Sequence, residues 1–218
     1  QAIRINPDDA KALSFLGTCY VFLDKHKEAI DAYEQAIRID PDYAVAHSGL
    51  GLVYNFIGKH NEAIKALKQA IRIDPDRAED HFYLGNSYEQ LDKYKEAIES
   101  YKQTIRINPD DAKAHIGFGR IYLQLGMNKE AIESHKQAIR IDPDHAKAHF
   151  NLGVAYYNSG MYKKGIESFK QAVVAYKQII RIDPDDADAH FHLGIIYCGL
   201  DDRGSAIEQY KILKKLDT

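Results

Sequence analysis

Tryptophan is absent, cysteine and methionine occur twice each, and only six prolines interrupt the 218 residues. The two cysteines, Cys19 and Cys198, stand 179 positions apart, which excludes a disulfide framework and any C-x-x-C redox or zinc motif. No apolar run approaches the roughly 18 residues that a membrane-spanning helix needs, so no membrane span is expected. Neither sign of charge dominates, with 29 Lys and Arg against 32 Asp and Glu. Chains built to hold a phosphate backbone carry a clustered basic excess, so nucleic acid is not an expected partner. Charged residues at 28% beside 45% hydrophobic ones nevertheless describe a folded chain rather than a disordered one. The chain opens on Gln1 with no charged-then-apolar leader, which reads as a processed chain or an excised fragment. The compartment is not written in the sequence; the cytoplasm is the expectation.

One phrase is present six times. IRINPDDAKA starts at Ile3 and again at Ile105, and close variants start at Ile37, Ile71, Ile139 and Ile180. Their prolines, Pro7, Pro41, Pro75, Pro109, Pro143 and Pro184, are spaced by 34, 34, 34, 34 and 41 residues. Self-similarity at such a period is the signature of a stacked repeat. Units fall at 10–43, 44–77, 78–111, 112–145, 146–186 and 187–218, with 1–9 as the tail of a preceding one. Together they form a single array over 1–218. Each unit predicts two helices. The first opens after Pro-Asp, as at Pro41-Asp42 and Pro143-Asp144, where proline stops the preceding helix and aspartate suits an N-cap. It halts near Gly58, Asp92, Gly126 or Gly160. The second shows apolar residues at helical stride, for example Ala63, Ile64, Leu67, Ala70, Ile71 and Ile73. No sustained two-residue alternation appears, so the expected class is all-α.

The third unit carries Leu84, Gly85, Tyr88, Ala97, Tyr101 and Pro109, and the second carries Leu50, Gly51, Tyr54, Ala63, Leu67, Ala70 and Pro75. In order and spacing these residues resemble the tetratricopeptide repeat, and the resemblance covers essentially the whole chain. It implies a right-handed α-solenoid superhelix of stacked antiparallel helix pairs with a concave groove. The physics agrees, since a lone unit cannot bury its apolar face and neighbours must stack.

Three departures stand out. The fourth position of the unit, usually a large aromatic in this family, is Leu13 once and then His47, His81, His115, His149 and His190. First helices about 8–10 Å apart cannot bring these side chains to a common metal, so each is read as a half-buried filler whose charging would make stability acid-sensitive. His145 and His149 form an i,i+4 pair, but His145 sits in the loop, so no metal site is expected. Next, the fifth unit has 41 residues because half a helix is duplicated, SFKQAV from Ser168 followed by VAYKQII from Val174. Seven residues turn about 700°, within about 20° of two full turns, so a second helix about two turns longer is expected rather than a bulge. Finally, no polar capping helix is evident at either end, which raises end-to-end association, a possible homo-oligomer, as an alternative.

Catalytic signatures are missing: there is no G-x-S-x-G, H-E-x-x-H, phosphate-binding G-x-x-x-x-G-K-[ST] or three-glycine dinucleotide fingerprint. Cys19 and Cys198 read as small fillers on first helices. No cofactor and no enzymatic activity are expected. In the family the concave wall comes from the second, fifth, ninth, twelfth and thirteenth positions of the first helix. Carried onto this chain, the resemblance implies a peptide-binding groove of Leu52, Asn55, Phe82, Asn86, Glu89, Lys113, Ile116, Arg120, Leu123, Phe150, Val154, Tyr157, Phe191 and Ile195. Phe82, Ile116, Phe150 and Phe191 share one position, and as an exposed apolar stripe they would mark a binding surface. Two specialised grooves of the family do not fit. A carboxylate clamp would need asparagine where Gly117 stands, and an asparagine ladder would need it at Phe15, Gly49, Tyr83 and Gly117. The expected function is a non-enzymatic protein–protein interaction module that holds a peptide or helix of an unidentified partner. The alternatives are a self-assembling scaffold and the regulatory arm of a larger enzyme.

Overall fold

The computed structural model describes residues 9–216, and among them are twelve α-helices and no strand. Two compact units divide them. The unit ending at residue 110 holds α1 (Ala10–Phe22), α2 (His26–Ile39), α3 (Ala44–Phe56), α4 (His60–Ile73), α5 (Ala78–Glu89) and α6 (Tyr94–Ile107). The unit starting at residue 111 holds α7 (Ala112–Gln124), α8 (Asn128–Ile141), α9 (Ala146–Asn158), α10 (Tyr162–Ile182), α11 (Ala187–Gly199) and α12 (Arg203–Leu216). The half-helix expected ahead of Asp9 lies outside the described residues. Each odd-numbered helix pairs with the even-numbered one that follows it.

Turn chemistry sets the helix boundaries. Every hairpin turn contains one residue with positive φ: Gly58, Gly126 and Gly160 at 70–73°, and Asp24, Asp92 and Asp201 at 54–58°. Glycine and aspartate are among the residues that tolerate this left-handed conformation. At the other end, the caps lie one residue beyond the expected position. The residue capping each first helix is the second after proline, so Asp42 and Asp144 are not caps. Where that second residue is aspartate, it caps: Asp111 accepts from the Ala114 amide at 2.9 Å and Asp186 from the Ala189 amide at 2.7 Å. Tyr43, Arg77 and His145 occupy the same place without a side-chain cap. The aspartate before the proline has its own role. Asp40, Asp74, Asp142 and Asp183 each accept from the amide two residues on, at 3.2–3.4 Å, and so fold the turn.

The repeated histidines complete this turn. Nε2 of His47, His81, His149 and His190 donates to the carbonyl of Pro41, Pro75, Pro143 and Pro184 respectively, at 2.8–3.0 Å. Each ring thereby satisfies a carbonyl that the end of the preceding helix leaves free.

Hairpin cores rest on one repeated contact. The glycine at the eighth position of a unit faces the bulky side chain at the twenty-fourth. A Cβ on Gly17, Gly51, Gly85, Gly119 or Gly153 would come within 2.5–2.9 Å of Tyr33, Leu67, Tyr101, His135 or Phe169. The exception in kind is His135, which is fully buried with no hydrogen-bond partner at either ring nitrogen. Burial, reinforced by the nearby Arg120 guanidinium, lowers its pKa from 6.5 to about 3. Between those two values the unfolded chain binds a proton that the folded chain refuses, so stability falls as pH drops through this window.

Three substitutions test this packing. In urea titrations, Gly85→Ala should cost about 1–3 kcal/mol through collision with Tyr101. Gly194→Ala, whose new Cβ meets nothing closer than Gln209 Cβ at 3.6 Å, should be neutral or gain up to about 1 kcal/mol from helix propensity. His135→Phe should raise stability at neutral pH by about 1 kcal/mol or more. It should also flatten the loss of stability between pH 6.5 and about 3; an unaltered pH profile would place the acid sensitivity elsewhere.

Candidate functional site

The extended fifth unit forms the most distinctive surface. As the duplication predicts, α10 is one uninterrupted helix of 21 residues, against 14 in α8. In the first unit a single ring performs two tasks: Tyr33 lies against Gly17 of its own hairpin and Gly49 of the next. In the extended unit these tasks are divided. Phe169 lies against Gly153, and Tyr176, seven residues on, stacks on His192 of the next hairpin at 5.1 Å and 19°. The sixth unit therefore docks about 10 Å further along α10.

This displacement spreads the first helices. α1 packs on α3, α3 on α5 and α7 on α9. α9 and α11 meet near their first turns, through a 2.7 Å ion pair between Lys147 Nζ and Asp188 Oδ2 and an edge-on contact of Phe150 with His192 at 5.2 Å. Beyond that point a cavity of about 260 Å³ opens between them, lined by Phe150, Val154, Tyr157, Asn158, Phe169, Ile195, Ile196 and Gly199. Ile196, 1% exposed, forms its floor, while Tyr157 and Ile195, 53% and 43% exposed, stand at its mouth. Among the residues expected in the groove, Phe150, Val154, Tyr157 and Ile195 are brought together here. Phe169 and Ile196 were not foreseen, because the wall positions carried over from the family lie on first helices and leave out both the tenth position and the second helix.

The fifth-position stripe is not the continuous exposed surface expected. This side chain turns toward the third position of the following unit. Ile116 is 6% exposed and packs with Ala138 and Ala148, and Phe150 packs against the cluster containing Ala189. Phe82 is half-buried against Tyr83 and Tyr101. Phe191, with no following first helix among the described residues, is 53% exposed. A polar version of the same contact joins α3 to α5. Asp80, which replaces the alanine of the other units, is fully buried and accepts from Ser48 Oγ and, at 2.9 Å, from Arg77 Nε. Burial pushes its carboxyl above the ordinary range, although Ser48 and Arg77 pull the other way.

Several expected polar groups are already engaged within the fold. Asn55 Nδ2 donates to the Tyr83 carbonyl at 3.1 Å, and its Oδ1 accepts from Ser87 Oγ at 2.8 Å, which braces α3 against α5. The Tyr101 hydroxyl is shared between Asn86 Oδ1 at 2.6 Å and Glu89 Oε2 at 2.8 Å. Leu52 and Arg120 are half-buried, Leu123 lies half-buried against the cluster around Leu152, and Lys113 is exposed. Cys198, expected as a filler, is exposed, and Cys19 is half-buried. Among the described residues no group of three or more His, Cys, Asp or Glu is placed to hold a metal ion, and no helix is long and apolar enough to cross a membrane.

Removing residues 170–176 tests the origin of the cleft, because it joins Phe169 to Lys177 and restores the ordinary unit. The shortened chain should remain helical by circular dichroism. It should lose binding of an environment-sensitive apolar dye at the cleft, which a Tyr157→Asp variant of the parent should also weaken.

Comparison with known proteins follows the same lines. A family model described as TPR repeat matches residues 17–55, 57–92, 119–160 and 166–201, and models described as tetratricopeptide repeat match 78–111 and 146–177. No curated protein matches. Among solved structures, MamA is 28% identical at a TM-score of 0.70, over 76% of this chain and 96% of that one. YrrB, described as a TPR protein with an unusual peptide-binding site, is 26% identical at a TM-score of 0.64, over 86% and 93%. PilF of Pseudomonas aeruginosa, 18% identical at a TM-score of 0.75 over 95% and 91%, shares the fold. With helix pairs, glycine–ring contacts and family models in register over most of its length, the chain belongs to the tetratricopeptide repeat family.

Proposed function

We propose that the chain is a non-enzymatic interaction module that holds a peptide or helix of a partner protein by seating one of its apolar side chains in the cleft between α9 and α11. The observation carrying this reading is the cleft itself, which is apolar, open at one side and walled by the partly exposed Tyr157 and Ile195. An apolar cavity of about 150 Å³ accommodates a benzene molecule, so about 260 Å³ has room for an aromatic or large aliphatic side chain. Asn158 at the rim offers a donor and an acceptor to a peptide backbone. Membership of a family of protein–protein interaction scaffolds, and likeness to a protein described as having a peptide-binding site, support the same conclusion.

A peptide-display selection on the parent, counter-selected on a Tyr157→Asp/Ile195→Asp variant, tests it. Peptides enriched on the parent should carry a large apolar residue and bind the variant roughly tenfold or more weakly, with helix content unchanged. Equal enrichment on both would sink the reading.

A further inference from the structure

Two grooves occupy the same place in the repeat, one in each compact unit. The first lies among α2, α3 and α4, the second among α8, α9 and α10. Their floors correspond: Ile37, Leu50 and Tyr54 in the first, Ile139, Leu152 and Tyr156 in the second. Each is also bordered by a histidine clasped to its proline carbonyl, His47 or His149.

Their rims differ in charge: Glu34 and Glu62 face Arg38 and Lys65 in the first, whereas Lys136 and Lys164 outnumber Glu167 in the second. The positions on either side of the tyrosine are Glu34 and Glu62 in the first groove, but Lys136 and Lys164 in the second. One further rim position inverts as well, from Lys65 to Glu167. The two intervening repeats have Lys68 and Glu96, and Lys102 and Glu130, at the flanking positions, pairs of mixed sign, so a like-charged pair is not imposed by the repeat. Lys164 Nζ stands 5.7 Å from the Tyr156 ring centre, and Lys136 lines the same groove.

Like charges held beside one apolar floor favour a ligand of opposite sign. Internal neutralisation is slight. Lys136 pairs with Glu133 at 3.0 Å, but both side chains are largely solvated, and such pairs contribute little. Glu167, the one acid on the rim, accepts from Gln171 at 3.3 Å. The groove measures about 330 Å³, within the range that holds small ligands and peptide side chains.

We propose that the groove around Tyr156 is a second binding site, separate from the α9–α11 cleft, for an acidic peptide segment. An aliphatic side chain would lie on Ile139, Leu152 and Tyr156, and a carboxylate would sit between Lys136 and Lys164. The first groove supplies the precedent for the control, because Lys136→Glu with Lys164→Glu places beside Tyr156 the glutamate pair that flanks Tyr54.

Fluorescence anisotropy on the full chain decides the matter, using end-capped Gly-Ser peptides with Leu-Glu-Glu-Leu or Leu-Lys-Lys-Leu at the centre. The parent should bind the glutamate peptide saturably and more weakly as salt is raised. K136E/K164E should weaken that binding roughly tenfold, the combined effect of two solvated ion pairs, with circular dichroism unchanged. The Tyr157→Asp/Ile195→Asp variant should bind the glutamate peptide as the parent does, which separates this site from the cleft. Unchanged affinity in K136E/K164E, equal loss in the cleft variant, or no saturable binding by the parent would overturn the proposal.

Discussion

A bulky side chain seated directly on a glycine sets the geometry of five of the six hairpins. With no Cβ in the way, the two helices approach until ring and backbone touch, and that distance fixes which residues reach the next hairpin. Tyr33 shows the consequence, since its ring rests on its own Gly17 and also closes against Gly49 beyond it. The sixth hairpin shows what happens without this contact. There Gly194 faces Gln209, Tyr210 is 64% exposed, and Gln209 turns inward to meet His190 Nδ1 at 2.6 Å.

The cleft arises from the same rule under a changed length. Because seven residues bring α10 back to nearly its starting phase, the duplicated segment keeps a ring at each contact while separating the two along the axis. Only the spacing of the first helices changes, and apolar residues that elsewhere meet a neighbour instead border an opening. A functional surface thus follows from an insertion that leaves local packing almost undisturbed.

Much of this was legible in the sequence. The proline spacing gave the helix pairs, and the phase of the insertion predicted a continuous α10. Four residues of the expected groove line the cleft. What escaped notice shares one cause: a repeat pattern reports the environment within a unit better than the direction a side chain takes toward its neighbour. Ile116 has the sequence character of a surface anchor, yet the alanines at Ala138 and Ala148 leave a space that it fills. Asn55 has the character of a free peptide-binding amide, yet it braces the next helix. The histidines look like substitutes for an aromatic ring, whereas their Nε2 atoms have a polar task that a phenyl group cannot perform.

The length of α10 also implies that spacing in such a stack is quantised. An added segment of about five or nine residues would turn the second contact toward the opposite side of the helix, whereas about seven or eleven return it to within about 20°. The separation between adjacent first helices can then grow in steps near 10 and 16 Å, with intermediate values disfavoured. A helix of this kind acts as a vernier: drift in its sequence tunes the lining of the cleft, while its width changes only by a jump.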